Sequence, residues 1–447
     1  MRKKSVIILL IVATMMSQLV ACDGNLVGKY GSEDVSVDVE TGTNINEQKQ
    51  PETGEVTDLS ANVDDAVSID YEIKSYLPVQ EFGFTLFKEN MDVLNPVMSP
   101  VSAYIALTMA GDGAQGNTHQ EFLNVLSPDE NMTALSESMM NILPKKTDYL
   151  EVSLSNSAWV DDEFTVNDEW AGQIDSFYDA EVYQMDVASE KAMKAMNNWI
   201  SDSTHELIKE MIAQPFDAET RMVLFNALYF NGKWSSPFME NMTNEESFYM
   251  SSDEAVKVPM MSQYQEYYEY FNDNNVEGVV LPYRDGNYSF VGIMPSDKNA
   301  DIREVYNTLT PQMLTELFEK RKSTFINLKL PKFEVEFDKL LNDSLINMGL
   351  KDAFDEDKAD FSKMGTTLTG NPLYISIVRQ KAVVKVDEEG TEAAAVTEIA
   401  MCETAALIED EPIDVFFDRP FIYFIMDMEN QIPLFIGIME NPNEAVN

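Results

Sequence analysis

The sequence predicts a mixed α+β fold, and three observations carry that prediction. Ser99 followed by Pro100 writes a helix start, a capping hydroxyl and then a proline in the first turn, where its missing N–H costs nothing. Val101, Tyr104, Ile105 and Thr108 then recur at helical spacing, and Gly111 can close that helix. Apolar runs rich in β-branched residues, Ala382 to Val386 and Phe290 to Pro295, read as strands. From Ile326 to Phe337 apolar and polar residues alternate, with the register shifting at Pro331 as a proline in a strand requires. No internal repeat is visible.

The 447 residues are 45% hydrophobic and 10% aromatic, enough to bury a large core, and carry 31 basic against 77 acidic side chains, a formal net charge of -46. Phosphate binding needs a basic footprint, so nucleic acid and anionic membrane surfaces are excluded as partners. Solubility accounts for such acidity, and so does steering toward cationic proteins. Residues 1–21 read as an export signal: Arg2, Lys3 and Lys4, an apolar stretch from Val6 to Met16, then Leu19-Val20-Ala21 before Cys22. LVAC is similar to a bacterial lipobox, which makes Cys22 the lipid-modified first residue of an exported lipoprotein. Ser17 and Gln18 interrupt the stretch, which argues against a retained membrane helix. Residues 22–70 shift to small, polar and acidic residues with few aromatics, the composition of a disordered tether. It would hold the folded part about 35–40 Å from the lipid. The only membrane contact expected is through that lipid, at the cell surface or on the periplasmic side. Asn131-Met132-Thr133 and Asn241-Met242-Thr243 have the glycan-acceptor spacing, which carries no weight behind a bacterial signal.

Folding is expected to begin near Tyr71, with an amphipathic run from Phe82 to Phe87. Thr118-His119-Gln120-Glu121 has the capping-box spacing and is expected to open a second helix. The glycines before it make no phosphate loop, since no Lys-Ser/Thr pair follows. Catalytic chemistry is hard to find. The two histidines, His119 and His205, read as surface residues, and neither accompanies a nucleophile elbow. No two of the few His and Cys residues fall at metal-ligand spacing, and no calcium loop is present, so neither metal nor cofactor is expected. A hydrolase built on a carboxylate pair is not suggested by any motif.

The stretch that organises the chain is Val386 to Phe421. The strand ending at Val386 runs into Asp387, Glu388, Glu389 and Gly390, and the glycine supplies backbone angles suited to a hinge. Laid into a sheet, the tract that follows would put Thr391, Ala393, Ala395, Thr397, Ile399 and Met401 on one face and Glu392 and Glu398 on the other. Every charge avoids one face, so the segment could be buried as a central strand. The chain then stays irregular to about Asp414, a loop of more than roughly twenty residues, which at that length is functional.

EEGTEAAA after KAVVKV, with DRPFIYFI and PLFIGIMENP downstream, resembles the hinge, reactive-centre loop and C-terminal strands of the serpins. NPVMSPVSAYIALTMAGDGAQGNT, Asn156 to Trp159, Asn197-Asn198-Trp199-Ile200, LFNALYFNGKW ending at Trp234, Leu281-Pro282-Tyr283 and Ala359-Asp360-Phe361-Ser362 extend the likeness. Glu206 stands where the family usually has glycine. The resemblance covers the chain from about Tyr71 to Asn441 and implies one serpin domain, residues 71–447. It implies three β-sheets with about eight or nine helices, no enzyme activity, and a monomer that traps a serine protease covalently. Cleavage of the exposed loop lets its hinge side, Glu388, Glu389, Gly390, Thr391, Glu392, Ala393, Ala394 and Ala395, insert into the large sheet. Ser99, Ser102, Asn226 and Trp234 correspond to shutter and breach positions, and Gln380 replaces the family's usual histidine. Glutamine still donates and accepts, so an altered hydrogen-bond arrangement without loss of fold is expected.

Counting from Gly390 as inhibitory members do places the scissile bond between Thr404 and Ala405, with Met401, Cys402 and Glu403 as alternatives. No Lys or Arg lies between Asp387 and Asp418, so trypsin-like enzymes are not the expected targets. Elastase-, subtilisin- or chymotrypsin-like enzymes are, and Glu403 leaves a Glu-specific protease open. Cys402 reads as a small bait residue whose acidic neighbours raise its thiol pKa. The competing reading is a non-inhibitory serpin-fold surface protein, acting as a protease substrate or binding module, or an inhibitor of papain-like cysteine proteases. A charged residue or proline at the inward positions Thr391, Ala393 and Ala395 would mark the non-inhibitory protein, and none stands there.

Overall fold

The structure is a computed structural model that describes residues 6–13, 57–58, 73–128, 131–250, 254–273, 275–284, 287–368, 370–391 and 411–444. Among the described residues nine α-helices form: α1 Leu77–Lys88, α2 Pro100–Asp112, α3 Gly116–Leu126, α4 Met132–Ile142, α5 Asp168–Tyr178, α6 Glu190–Ser203, α7 Ile302–Thr308, α8 Pro311–Glu319 and α9 Asn342–Met348. Three sheets accompany them, as expected. Numbered in chain order, the strands of the first are β1 Val6–Ala13, β2 Thr57–Asp58, β4 Lys145–Lys146, β5 Leu150–Val160, β7 Ala180–Gln184, β8 Thr220–Lys233, β14 Phe333–Leu340, β16 Leu373–Val386 and β17 Gly390–Thr391. The second holds β3 Val97–Met98, β9 Asn244–Tyr249, β10 Ala255–Asn272, β11 Val276–Pro282, β12 Tyr288–Pro295, β13 Lys322–Pro331, β18 Ile413–Phe416, β19 Phe421–Asp427 and β20 Ile432–Met439. The third pairs β6 Phe164–Val166 with β15 Gly365–Thr367.

The centre of the first sheet is a slot between β8 and β16. Two short segments fill it: β17, antiparallel to both neighbours, and β1, parallel to both. β1 belongs to the stretch read as the export signal. Within the stretch read as tether, Thr57 and Asp58 pair with Gln184 and Tyr183 at the sheet's far edge.

The proline at Pro331 acts as a switch between sheets. β13 ends there, Lys332 turns, and β14 begins in the first sheet, with Phe333, Val335 and Phe337 inward and Glu334 and Glu336 on the other side. Strands covered on both faces read as continuous apolar runs, and β12, β19 and β20 are buried at every position.

Helix α2 begins as its sequence predicts: the Ser99 hydroxyl accepts from the Ser102 N–H at 3.3 Å, with Pro100 in the first turn. Its burial extends beyond the residues whose spacing marks the helix. Every residue from Pro100 to Gly111 is buried, because the helix lies between β8 and β20 with α1 beside it. It also runs past Gly111 to Asp112, with Gly113 as its cap.

The capping box expected at Thr118 is not used. α3 opens two residues earlier, at Gly116, and Thr118 lies inside it, its hydroxyl accepting from the Asp360 N–H at 3.0 Å. Glu121 accepts instead from the Lys351 and Asp352 N–H groups, tertiary partners that outcompete a local cap. His119, expected at the surface, is half-buried with Nδ1 2.8 Å from the Gly111 carbonyl. His205 is exposed and lies beyond the end of α6. It has φ 49°, and Glu206, where the family usually places glycine, has φ 64°. A non-glycine residue there costs about 1 kcal/mol or more.

Candidate functional site

The hinge is built by the turn that ends β16. The Asp387 carboxylate accepts from the Glu389 and Gly390 N–H groups at 3.0 and 3.3 Å, and the Asp387 N–H donates to the Gly390 carbonyl at 3.0 Å. This Asx turn reverses the chain, so Thr391 comes back beside Val386 while Gly390 and Thr391 pair with Lys233 and Gly232 of β8. Glycine is required at position 390 by close approach: a Cβ there would lie 2.0 Å from the Gly232 carbonyl oxygen.

Three aromatic residues fasten this turn. Trp234 donates its backbone N–H to the Glu389 carbonyl at 2.8 Å and its indole N–H to the Asp387 carbonyl at 2.9 Å. The Phe238 N–H reaches the Glu388 carbonyl at 2.8 Å. The Trp234 ring stacks on Tyr283, centroids 4.7 Å apart and 11° from parallel, and the Tyr283 hydroxyl meets the Thr391 hydroxyl at 2.5 Å. Burial pushes the Tyr283 phenol well above its ordinary pKa, so it stays neutral. Thr391 is 1% exposed, its side chain turned inward as the alternation predicts for that face.

Glu388, also in the turn, points the other way into a polar niche. Lys332 Nζ lies 2.6 Å from one carboxylate oxygen and the Thr243 hydroxyl donates to the other at 2.8 Å. Burial pushes this carboxyl up, but the bonds from Lys332 and Thr243 outweigh it and leave the pKa below the ordinary value.

The shutter residues lie further down the slot, over the start of α2. On the β16 side, the Gln380 amide donates to the Ser99 carbonyl at 2.9 Å and accepts from the Ser99 N–H at 3.4 Å. On the β8 side, the Ser102 hydroxyl donates to the Asn226 side-chain oxygen. Asn226 donates to the Asn156 oxygen at 2.7 Å, and Asn156 to the Tyr178 carbonyl at 2.6 Å. All of these side chains are buried. Gln380 and Asn226 stand opposite each other across Val12 of β1, so the network grips both lips of the slot from below.

Ser99, Ser102, Asn226, Gln380, Trp234, Glu388, Glu389, Gly390 and Thr391 thus converge on one slot. Glu392, Ala393, Ala394, Ala395, Met401, Cys402, Glu403, Thr404, Ala405 and Cys22 lie outside the described residues. Sequence reasoning did not assign Lys332, Thr243, Phe238, Tyr283 or Asn156 to the site. Tyr283 and Asn156 stood inside family-like motifs, and Lys332 directly follows the proline at the sheet switch. Phe238 carries no sequence signal, and Thr243 stood only in a glycan-acceptor triplet unrelated to this role. Among the described residues no group of three His, Cys, Asp or Glu side chains is placed to hold a metal ion.

Comparison with known proteins gives the same reading. A profile of the family described as "Serpin (serine protease inhibitor)" matches residues 78–442. Human alpha-1-antichymotrypsin is 32% identical over 379 residues, covering 82% of this chain and 87% of that protein. A serpin-like protein of Methanosarcina acetivorans is 32% identical over 397 residues, covering 85% of this chain and 89% of its own. The crystal structure of the thermophilic serpin Tengpin in its native state superposes with a TM-score of 0.78 at 31% identity, covering 87% of this chain and all of the other. Tengpin in its latent state gives 0.71 at 30% identity, covering 83% and 99%. This chain belongs to the serpin family, a family of protease inhibitors and not of catalysts.

Proposed function

We propose that the protein inhibits serine proteases by letting its cleaved loop enter the slot between β8 and β16. One observation carries this reading: Gly390 and Thr391 already sit in the slot, with Thr391 buried against Tyr283. The next residues of that face are Ala393, Ala395 and Thr397, none of which brings a charge into the core. Loop residues following Thr391 antiparallel to β16 would use backbone groups of β8 and β16 that β1 uses in the uncut chain. Removal of residues 1–21 on export would free those groups, so the mature chain, and not the precursor, is the inhibitor.

The target is an elastase-, subtilisin- or chymotrypsin-like enzyme, which cuts this chain at Thr404–Ala405, with Met401, Cys402 and Glu403 as neighbouring choices. The protein acts as a monomer held outside the cell by lipid on Cys22. The test mixes residues 22–447 carrying Cys22→Ser with an elastase and with subtilisin, followed by denaturing gels and intact mass. A covalent species of summed mass with a released C-terminal peptide is expected, and that peptide's first residue gives the scissile bond. Loop cleavage with both proteases left active would refute trapping.

A further inference from the structure

Between Thr391 and Cys402 the loop carries two charges, Glu392 and Glu398, both on the face turned away from the core. The registers of the slot determine where those carboxylates arrive. Thr391 pairs with Gly232 of β8 and with Val386 of β16. Near the shutter, Ile11 of β1 stands opposite Phe225 of β8 and Arg379 of β16 at once. Seven residues separate Gly232 from Phe225, and seven separate Val386 from Arg379, so the two lips stay in step from hinge to shutter. A strand continued antiparallel from Thr391 therefore brings Glu392 opposite Lys385 and Asn231, and Val396 opposite Lys381 and Ala227. Glu398 arrives opposite Arg379 and Phe225.

The faces agree with the registers. Gln380 points inward to Ser99, so Lys385, Lys381 and Arg379 hold alternate positions on the outer face of β16, the face that Glu392 and Glu398 would share. Lys381 is claimed already, with Nζ 2.5 Å from Glu336 of β14. Arg379 grips Asp338 of β14 through Nε and Nη2, each at 2.6 Å, and donates from Nη1 to the Met211 carbonyl at 3.1 Å. Among the described residues those three bonds leave N–H groups on its terminal nitrogens unused. Lys385 is held loosely, 3.9 Å from Asp387. Each acid of the loop thus meets a cation with bonding capacity to spare, and the claimed lysine meets a valine.

We propose that Arg379 and Lys385 receive Glu398 and Glu392 as cross-strand ion pairs that fix the register of the inserted loop. This rests on the insertion reading and names the side chains that position the strand. The two pairs are unequal. Phe225 is 1% exposed and shares an apolar cluster with Met211, so a carboxylate at position 398 has a dry neighbour and depends on the guanidinium. Lys385 and Asn231 are partly exposed, and water screens the pair with Glu392.

The test uses residues 22–447 carrying Cys22→Ser with an elastase, and reads the ratio of cleaved to trapped inhibitor. Arg379→Gln leaves Glu398 without its partner and is expected to raise that ratio about tenfold. Adding Glu398→Gln should return it to near the wild-type value. An arginine that only braced Asp338 and Met211 would raise the ratio equally in both backgrounds, which overturns the proposal. Lys385→Gln should raise the ratio about twofold, and Lys381→Gln should leave it unchanged.

A second measurement does not depend on trapping. In guanidinium, the unfolding midpoint of the cut chain should fall in Arg379→Gln and recover when Glu398→Gln is added. In the uncut chain the second substitution should move nothing. Protected amides along β8 and β16 after cutting, with no recovery in either measurement, overturn these pairs and leave insertion standing. Absence of that protection overturns insertion and the pairs with it.

Discussion

The two ends of the slot are held closed by different means. At the hinge end, Gly390 and Thr391 are seated by backbone bonds to β8, by Trp234 and Tyr283, and by one ion pair whose lysine is 37% exposed. At the shutter, the contacts are side-chain hydrogen bonds among fully buried groups over the start of α2. Water reaches Lys332 at the first end and none of the shutter side chains at the second, so the ion pair is the weaker of the two fastenings.

The comparison breaks most sharply at Thr391. Thr391→Arg places a cation where the hydroxyl meets Tyr283, with no acid to pair it. Each inhibitor molecule should then be cleaved without trapping, raising the cleaved-to-trapped ratio more than about a hundredfold while initial binding persists, since the arginine would keep position 391 out of the slot in the uncut chain and impose several kcal/mol of burial cost on insertion. Ratios from quantitative gels check this.

Next in size is the shutter. Asn226→Ala strands Ser102 and Asn156 together, and unfolding in urea should show a loss of about 2–3 kcal/mol. A smaller effect is expected at the hinge. Glu388→Gln should cost about 1–2 kcal/mol, less than a fully buried pair because Lys332 is more than one-third exposed.

That difference has a pH signature. Glu388 has its folded pKa below the ordinary 4.5, so its contribution is fully present above that value and fades as the pH falls through the folded one. The gap between wild type and Glu388→Gln should be flat near neutrality and close only in acid. The least change is expected for Gln380→His. An imidazole can also donate from one nitrogen and accept at the other, so stability should move by less than about 1 kcal/mol.

Local features were legible in the sequence. The Ser99 cap, the inward parity of Thr391 and the shift of alternation at Pro331 depend on neighbours along the chain, and each stands where its residue type predicts, whereas the need for glycine at 390 comes from the distant Gly232. The rest required long-range contacts. The Asp387–Gly390 turn meets Trp234, Phe238, Thr243, Tyr283 and Lys332 only because ends of strands from both large sheets converge there. Helix α3 failed as a reading for the same reason, since distant backbone groups claim both Thr118 and Glu121. At α2 the helix and the shared face of Val101, Tyr104, Ile105 and Thr108 were legible, while the burial of its other side was not, because helical spacing cannot reveal an element covered on every side.

Hydrogen exchange on the chain from residue 22, before and after cutting its loop, tests the central claim most directly. The backbone amides of β8 from Thr220 to Ala227 and of β16 from Leu373 to Gln380 line the slot. Insertion of the cut loop predicts that those facing the slot become strongly protected, with little change in β12, β19 and β20. Unchanged exchange along both strands after complete cleavage would contradict loop insertion in this protein.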